Sequence, residues 1–368
     1  MRPAAVRNVK MLDVPIQPDY ESLLRNLRRE GTPKRVHFME LFWDGEIGDA
    51  IWERFDLGRD LDPRDPDYLR WRNIRLHRFL GYDYVPVALG NAALPHDNYA
   101  VAGDTAGLGR QGGRSWLDEH TGPIRTMEDF ERYPWPDPNA ADTSDIEWHS
   151  KYVPEDMCLR AGSHSVFEYV TWLMGYEGLC FALHDDPELV DAMFERVGSI
   201  FNAWCKLLAQ FDRMPILFGG DDMGHRTGTM ISAQVLKDKS LVWHQRNAEV
   251  AHERGKLYLL HACGNLEELM PTLIQQVKLD GKHSFEDVIE PVTVAKRRWG
   301  DRLSLIGGID VDFLCRADEA QVRRRARETL DICLPGGGYC LGTGNSVANY
   351  IPVENYLAML DEGRRYAA

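Results

Sequence analysis

Hydrophobic and polar positions along this chain alternate between two rhythms. Short apolar segments, mostly of strand length, end in polar residues or glycine: "RVHFMEL" (35–41), "YDYVPVAL" (82–89), "MCLRAGSHS" (157–165), "PILFGGDD" (215–222), "KLYLLHACG" (256–264), "DGKHSFE" (280–286), "RLSLIGGID" (302–310) and "GYCLGTGN" (338–345). Stretches with helical spacing follow many of them. In "DDPELVDAMFERVGSIFNAWCKLLAQF", Leu189, Met193, Val197, Ile200, Trp204 and Leu208 fall on one helical face, with Asp186 as N-cap and Pro187 at the first helical position. "SAQVLKDKSLVWHQRNAEVAHERG" is expected to run from a Ser232 cap to a Gly255 stop. "NLEELMPTLIQQ" and "DEAQVRRRARETLDICLPGG" carry capping-box patterns, Asn265 with Glu268 and Asp318 with Gln321.

Strands that alternate with helices imply βαβ units and a parallel sheet. Eight such units predict an α/β chain with a closed (β/α)8 TIM barrel as a single domain. An open doubly wound sheet would want a glycine-rich phosphate loop after its first strand, and "MELFWDGEIG" is not one. The reading assigns residues 1–33 to an N-terminal extension and 34–368 to the barrel. The Gly-, Pro- and Asp-rich stretch 91–150 is read as a long insertion after the second strand, over the barrel mouth, and as a candidate homodimer contact.

Charge narrows the partners. The chain has 43 basic and 57 acidic residues, a net charge of −14, which repels phosphate backbones and anionic lipid, so neither nucleic acid nor membrane is expected as a partner. No apolar run approaches the roughly 20 residues of a membrane span. The N-terminal "MRPAAVRNVKMLDVP" has no apolar core of signal length, so a cytoplasmic location is expected. Seven cysteines, an odd number, do not suggest a disulfide framework, and Cys205 and Cys333 read as core residues on helices.

In a barrel the C-terminal strand ends converge on one mouth, where chemistry sits. Those ends carry Glu40, Ser163 and His164, Asp221 and Asp222, His261 and Cys263, His283 and Glu286, Asp310, and Asn345. Asp and Asn are ordinary helix caps there, which does not account for His261 with Cys263. Residues two apart on a strand face the same side, so this imidazole and thiol can face one ion, and their softness favours zinc. Of the adjacent carboxylates only one can face the mouth; Asp222 is chosen, as a catalytic proton donor alongside His261, with Asp221 bracing the neighbouring strand. Glu40, His164, His283, Glu286, Asp310 and Asn345 are the candidate substrate-binding residues.

"LHACGNLEELMP" resembles the His-x-Cys-Gly segment of the uroporphyrinogen decarboxylase superfamily, in its corrinoid and coenzyme M methyltransferase-like branch. "HFMELFWDGEI" (37–47), "GSHSVFEYVTWLMGYEGLCFALHDDPELV" (162–190), "FGGDDMG" (218–224), "WGDRLSLIGGID" (299–310) and "GGGYCLGTGNSVANYIPVENYLAML" (336–360) agree with it in order and spacing. The resemblance implies the same barrel and a zinc-assisted methyltransferase acting on a small methylated substrate or thiol. It also implies a separate corrinoid protein as partner, since this chain has no Asp-x-His-x-x-Gly cobalamin loop. Two departures are visible. Where uroporphyrinogen decarboxylases carry an "MRQAGR"-like segment this chain has "MELFWDGE", so uroporphyrinogen itself is not the expected substrate. Where the zinc methyltransferases place a third, cysteine ligand in a Gly-Cys pair, this chain has Gly344-Asn345, with Cys340 five residues earlier. A carboxylate, Glu40, Asp222 or Glu286, is the expected replacement. The alternative reading is a metal-free decarboxylase or lyase on a small carboxylated substrate, with Asp222 or His261 as proton donor.

Overall fold

The computed structural model describes residues 11–366 apart from Gln111, Glu119, Ser163 and His164; the expected substrate residue His164 thus lies outside the described residues. Seven of the apolar segments supply the strands of one curled parallel sheet: β1 (Tyr84–Val87), β2 (Cys158–Ala161), β3 (Ile216–Gly220), β4 (Leu257–His261), β5 (Gly281–His283), β6 (Ser304–Ile306) and β7 (Tyr339–Cys340). Spatial order follows chain order, each strand pairing in parallel with the next. This is the consequence of repeated right-handed crossovers.

The remaining segment, 35–41, joins the end of the sheet through a single parallel bridge, Phe38 to Leu341, with Leu341 N–H donating to the His37 carbonyl at 2.9 Å. Across the seam to β1, side chains take over from the ladder. Buried Asp83 accepts from His37 Nδ1 at 2.7 Å and from Arg35, and Arg160, buried inside the barrel, donates to the Leu41 carbonyl at 2.8 Å. The fold is a single-domain TIM-barrel-like (β/α)8 arrangement.

The caps follow the sequence in part. Asp186 accepts Leu189 N–H at the start of helix Pro187–Leu208, and Asp318 and Gln321 form the reciprocal box before Glu319–Cys333. Ser232 makes no side-chain cap bond. The Asn265–Glu268 box is also absent: Asn265 Oδ1 takes Glu267 N–H at 3.0 Å in a turn, and regular helix starts only at Met270.

Part of the stretch read as an N-terminal extension packs against the barrel. Helix Tyr20–Leu27 buries Leu23 and Leu27, and Asn26 Nδ2 donates to the Tyr339 carbonyl at 2.8 Å, at the N-terminal end of β7. The stretch read as an insertion carries a hairpin, Tyr99–Ala102 with Arg114–Leu117. Arg110 pairs with Glu46, and Asn349 Nδ2 donates to the Leu108 carbonyl at 2.9 Å. Helix Ser144–Tyr152, at the end of the stretch read as insertion, buries Ile146 and His149 against the barrel and serves as the crossover into β2. No helix among the described residues is long and apolar enough to cross a membrane.

Candidate metal and active site

The register of three strands builds the site. Gly220 of β3 lies opposite His261 of β4, and His261 opposite His283 of β5. Residues in register point the same way, so the two imidazoles meet inside the mouth with their Nδ1 atoms 2.7 Å apart. Two residues beyond β3, Asp222 turns to the same point: its Oδ1 lies 3.2 Å from His261 Nε2 and accepts Cys263 N–H at 3.0 Å. Cys263 Sγ lies 3.3 Å from His261 Nε2. One ligand atom from each of Asp222, His261 and Cys263 falls within 4.8 Å of the others.

Two glycines make this approach possible. A Cβ on Gly264, where φ is +79°, would stand 2.1 Å from the backbone carbon of Gly224; one on Gly224 would stand 2.7 Å from the Cys263 carbonyl oxygen. The loops after β3 and β4 therefore pack backbone on backbone, tied by Asn265 N–H donating to the His225 carbonyl at 2.8 Å.

Asp221 faces the other way, into the helix layer. It is fully buried and accepts from Phe167 N–H, Glu168 N–H, Ser240 Oγ and His244 Nε2. It braces the strand and does not line the mouth.

Glu168, which the sequence reading did not single out, lies in the site. Its carboxyl takes the backbone N–H of Asp222 and the Ser165 hydroxyl, the latter at 2.5 Å. Burial first, then the charges of Asp222 and Asp221, push it up to about 8. Asp222 is held at about 2: burial pushes upward, and the hydrogen bond and charge of His261 and the bonds from Cys263 outweigh it. Burial and then the Asp222 charge push the Cys263 thiol well above its ordinary range; Ser284 and Lys282 oppose them.

Asn345, where the resemblance implies a third cysteine ligand, donates Nδ2 to Cys263 Sγ at 3.2 Å. Ser284 Oγ donates to the same sulfur at 3.8 Å. Cys340 is buried near Asn26, 3.5 Å from its Nδ2, at the opposite end of the barrel, so it cannot replace the missing ligand.

The other expected residues divide. Glu40 is buried and spends its carboxyl on Thr343, whose N–H lies 3.0 Å from each oxygen and whose Oγ1 lies 2.6 Å from Oε2. Burial, only partly opposed by these bonds, raises Glu40 to about 8. Asp310 accepts Phe313 N–H at 3.0 Å and Asp287 N–H at 2.9 Å, which makes it the cap of helix Val311–Arg316. Glu286 is outside the three-residue cluster and lines a cavity of about 270 Å³ on the helix side of the sheet, beside Gly264, Lys282 and Ser284. Lys282 alternates with His283 and so points into that cavity side. Its Nζ donates to the Ala262 and Ser284 carbonyls at 3.2 and 2.7 Å, and burial lowers it to about 8.

The uroporphyrinogen decarboxylase (URO-D) family model matches residues 119–366, more than half of the chain. The chain belongs to the uroporphyrinogen decarboxylase family. This URO-D family chain matches none of the curated protein sequences. Among solved structures it is similar to a methyltransferase from Methanosarcina mazei, with 15% identity, 94% of this chain and 98% of that one covered, and a TM-score of 0.69. It is also matched to a structure described as a vitamin-B12 independent methionine synthase from Listeria monocytogenes, at 14% identity, 91% and 96% coverage and a TM-score of 0.45. The first likeness shows the shared barrel fold of this family member.

The donor set fits a thiophilic divalent cation. Imidazole nitrogen, thiolate sulfur and carboxylate oxygen are ordinary zinc ligands, and three protein ligands with an open position are the pattern of a catalytic zinc site. Of the three expected carboxylates, only Asp222 lies with His261 and Cys263; Glu40 and Glu286 do not join them.

Proposed function

We propose that this protein is a methyltransferase that holds zinc on Asp222, His261 and Cys263 and works with a corrinoid carried by a separate protein, on a small methylated substrate or thiol. The observation that carries the reading is the convergence of one oxygen, one nitrogen and one sulfur within 4.8 Å at the mouth of the barrel. Zinc, when bound, supplies Lewis acidity, lowering the pKa of an acceptor thiol or polarising a methyl donor.

The chain's own groups have separable tasks. His261 sets the position of the site, because its strand is in fixed register with β3 and β5, and Asp222 reaches it from two residues beyond β3. Asn345 and Ser284 donate to Cys263 Sγ, which spreads the sulfur's negative charge and favours its thiolate. Glu168, at about 8, holds its proton near neutral pH next to Asp222 and can deliver it to a leaving group at the mouth.

Elemental analysis of the purified protein, before and after zinc is supplied, tests the reading. About one zinc per chain is expected, and Cys263→Ser and Asp222→Asn should lose it while keeping the fold by circular dichroism. A wild-type protein that takes up no zinc would sink the proposal. Glu168 favours a second reading, a metal-free decarboxylase or lyase on a small carboxylated substrate, because a protonated carboxyl in the mouth can protonate a carbanion. Carboxylate loss catalysed by the zinc-free protein, abolished by Glu168→Gln, would select it.

A further inference from the structure

Among the described residues His283 has no charge partner; it has no exposed surface, yet both of its ring nitrogens are engaged. Its Nε2 lies 3.2 Å from the Thr343 carbonyl oxygen, and its Nδ1 lies 2.7 Å from His261 Nδ1. A carbonyl oxygen only accepts, so His283 Nε2 must bear a proton. Two Nδ1 atoms at this separation share a single proton. Were it on His283, that ring would carry both protons and a buried positive charge with no carboxylate on either nitrogen. The arrangement that leaves it neutral puts the proton on His261 Nδ1, which then donates to His283.

From this we infer that His283 is a positioning residue: it accepts from His261 Nδ1 and so fixes the His261 ring with Nε2 turned toward Asp222 and Cys263. The anchor behind it is firm. Thr343 is itself held by Glu40 through both its N–H and its hydroxyl, so its carbonyl cannot drift from His283. The choice of an imidazole as acceptor also has a chemical consequence. Metal-binding histidines commonly donate their second N–H to a carboxylate or a backbone carbonyl. A carboxylate there would add a negative charge beside Asp222 and Cys263; a neutral imidazole gives the same orientation and adds none.

The inference deepens the zinc reading, but its first measurement does not depend on it. In 15N-labelled protein, long-range correlations of the imidazole ring nitrogens report which nitrogen carries the proton. His261 Nδ1 should carry one, protected from exchange, in metal-free and in zinc-loaded protein, and zinc should shift only its Nε2. A bare His261 Nδ1, or zinc on Nδ1, would overturn the assignment. His283→Leu should weaken zinc binding by about 10–100-fold in competition with a chromogenic chelator. His283→Gln, whose amide can still donate to Thr343 and accept from His261, should recover most of that loss. Equal zinc affinity in wild type and His283→Leu, with the fold intact, would overturn it too. If the wild type takes up no zinc but shows the protonated His261 Nδ1, the zinc reading falls and the positioning role stands.

Discussion

Asn345 donates its side-chain N–H to the sulfur of Cys263 at 3.2 Å, from the chain position where zinc-dependent relatives are expected to supply a third ligand of their own. On the proposed zinc reading, a hydrogen-bond donor stands where a ligand would be, and Asp222 joins the ligand set. Asn345→Cys should therefore add a soft ligand to the same sulfur-bearing face and tighten zinc by at least about tenfold, near 1.4 kcal/mol. Chelator competition measures it. Unchanged affinity would mean that position 345 does not reach the ion.

The two adjacent aspartates should respond in opposite ways. Asp222→Asn should lower metal content and turnover strongly while changing stability by no more than about 1 kcal/mol. Asp221→Ala removes a buried carboxylate that satisfies two helix N–H groups, a hydroxyl and an imidazole, and should cost about 3–5 kcal/mol. Denaturant unfolding alongside zinc analysis separates the two. Equal stability losses would show that Asp222 is also structural.

Gly264 should tolerate nothing larger. Gly264→Ala adds a left-handed backbone cost of about 1–3 kcal/mol and drives a methyl group into the Gly224 backbone. Gly255→Ala is the control: φ is +68° there, but a Cβ meets nothing within 4 Å. Thermal unfolding should rank Gly264→Ala well below Gly255→Ala, with zinc lost only from the former. Parity between them would contradict the backbone-on-backbone packing.

Glu40 gives a pH signature with a definite sign. Its carboxyl is raised from 4.5 to about 8 in the folded chain, so between those values the folded state binds more protons than the unfolded one. The stability it contributes is fully present below about 4.5 and is lost as pH rises through 8. Glu40→Gln keeps a neutral group with a donor for Thr343 and should lose this dependence. The variant's stability relative to wild type should improve between pH 5.5 and 8, by an amount on the order of a few kcal/mol at most. A flat difference across that range would show that Glu40 is ionised in the folded state.

Much of the fold was legible because local pattern and tertiary structure agree. The apolar segments became strands since each is buried on both faces of a parallel sheet, which demands continuous hydrophobic runs. The boundaries were less legible. Segment 35–41 reads as a strand like the others, but it keeps only one bridge because Asp83, Arg35 and Arg160 close that seam with side chains. Glu168 escaped notice because nothing local distinguishes it from any glutamate in the first turn of a helix; its chemistry comes from Asp221 and Asp222, more than fifty residues away.

The sequence by itself determined the barrel, the mouth and the pair His261 and Cys263, because strand alternation makes a two-residue step face one side whatever surrounds it. Only the tertiary structure decided which carboxylate joins that pair. Glu40, Asp222 and Glu286 are equivalent as residue types at strand ends. Glu40 is claimed by Thr343, Glu286 lines a separate cavity, and Asp222 is brought to His261 and Cys263 by loops that two glycines let touch backbone to backbone. The role of His283 was likewise out of reach of the sequence, since a tautomer is fixed by what stands on the far side of the ring, and that is a carbonyl sixty residues along the chain.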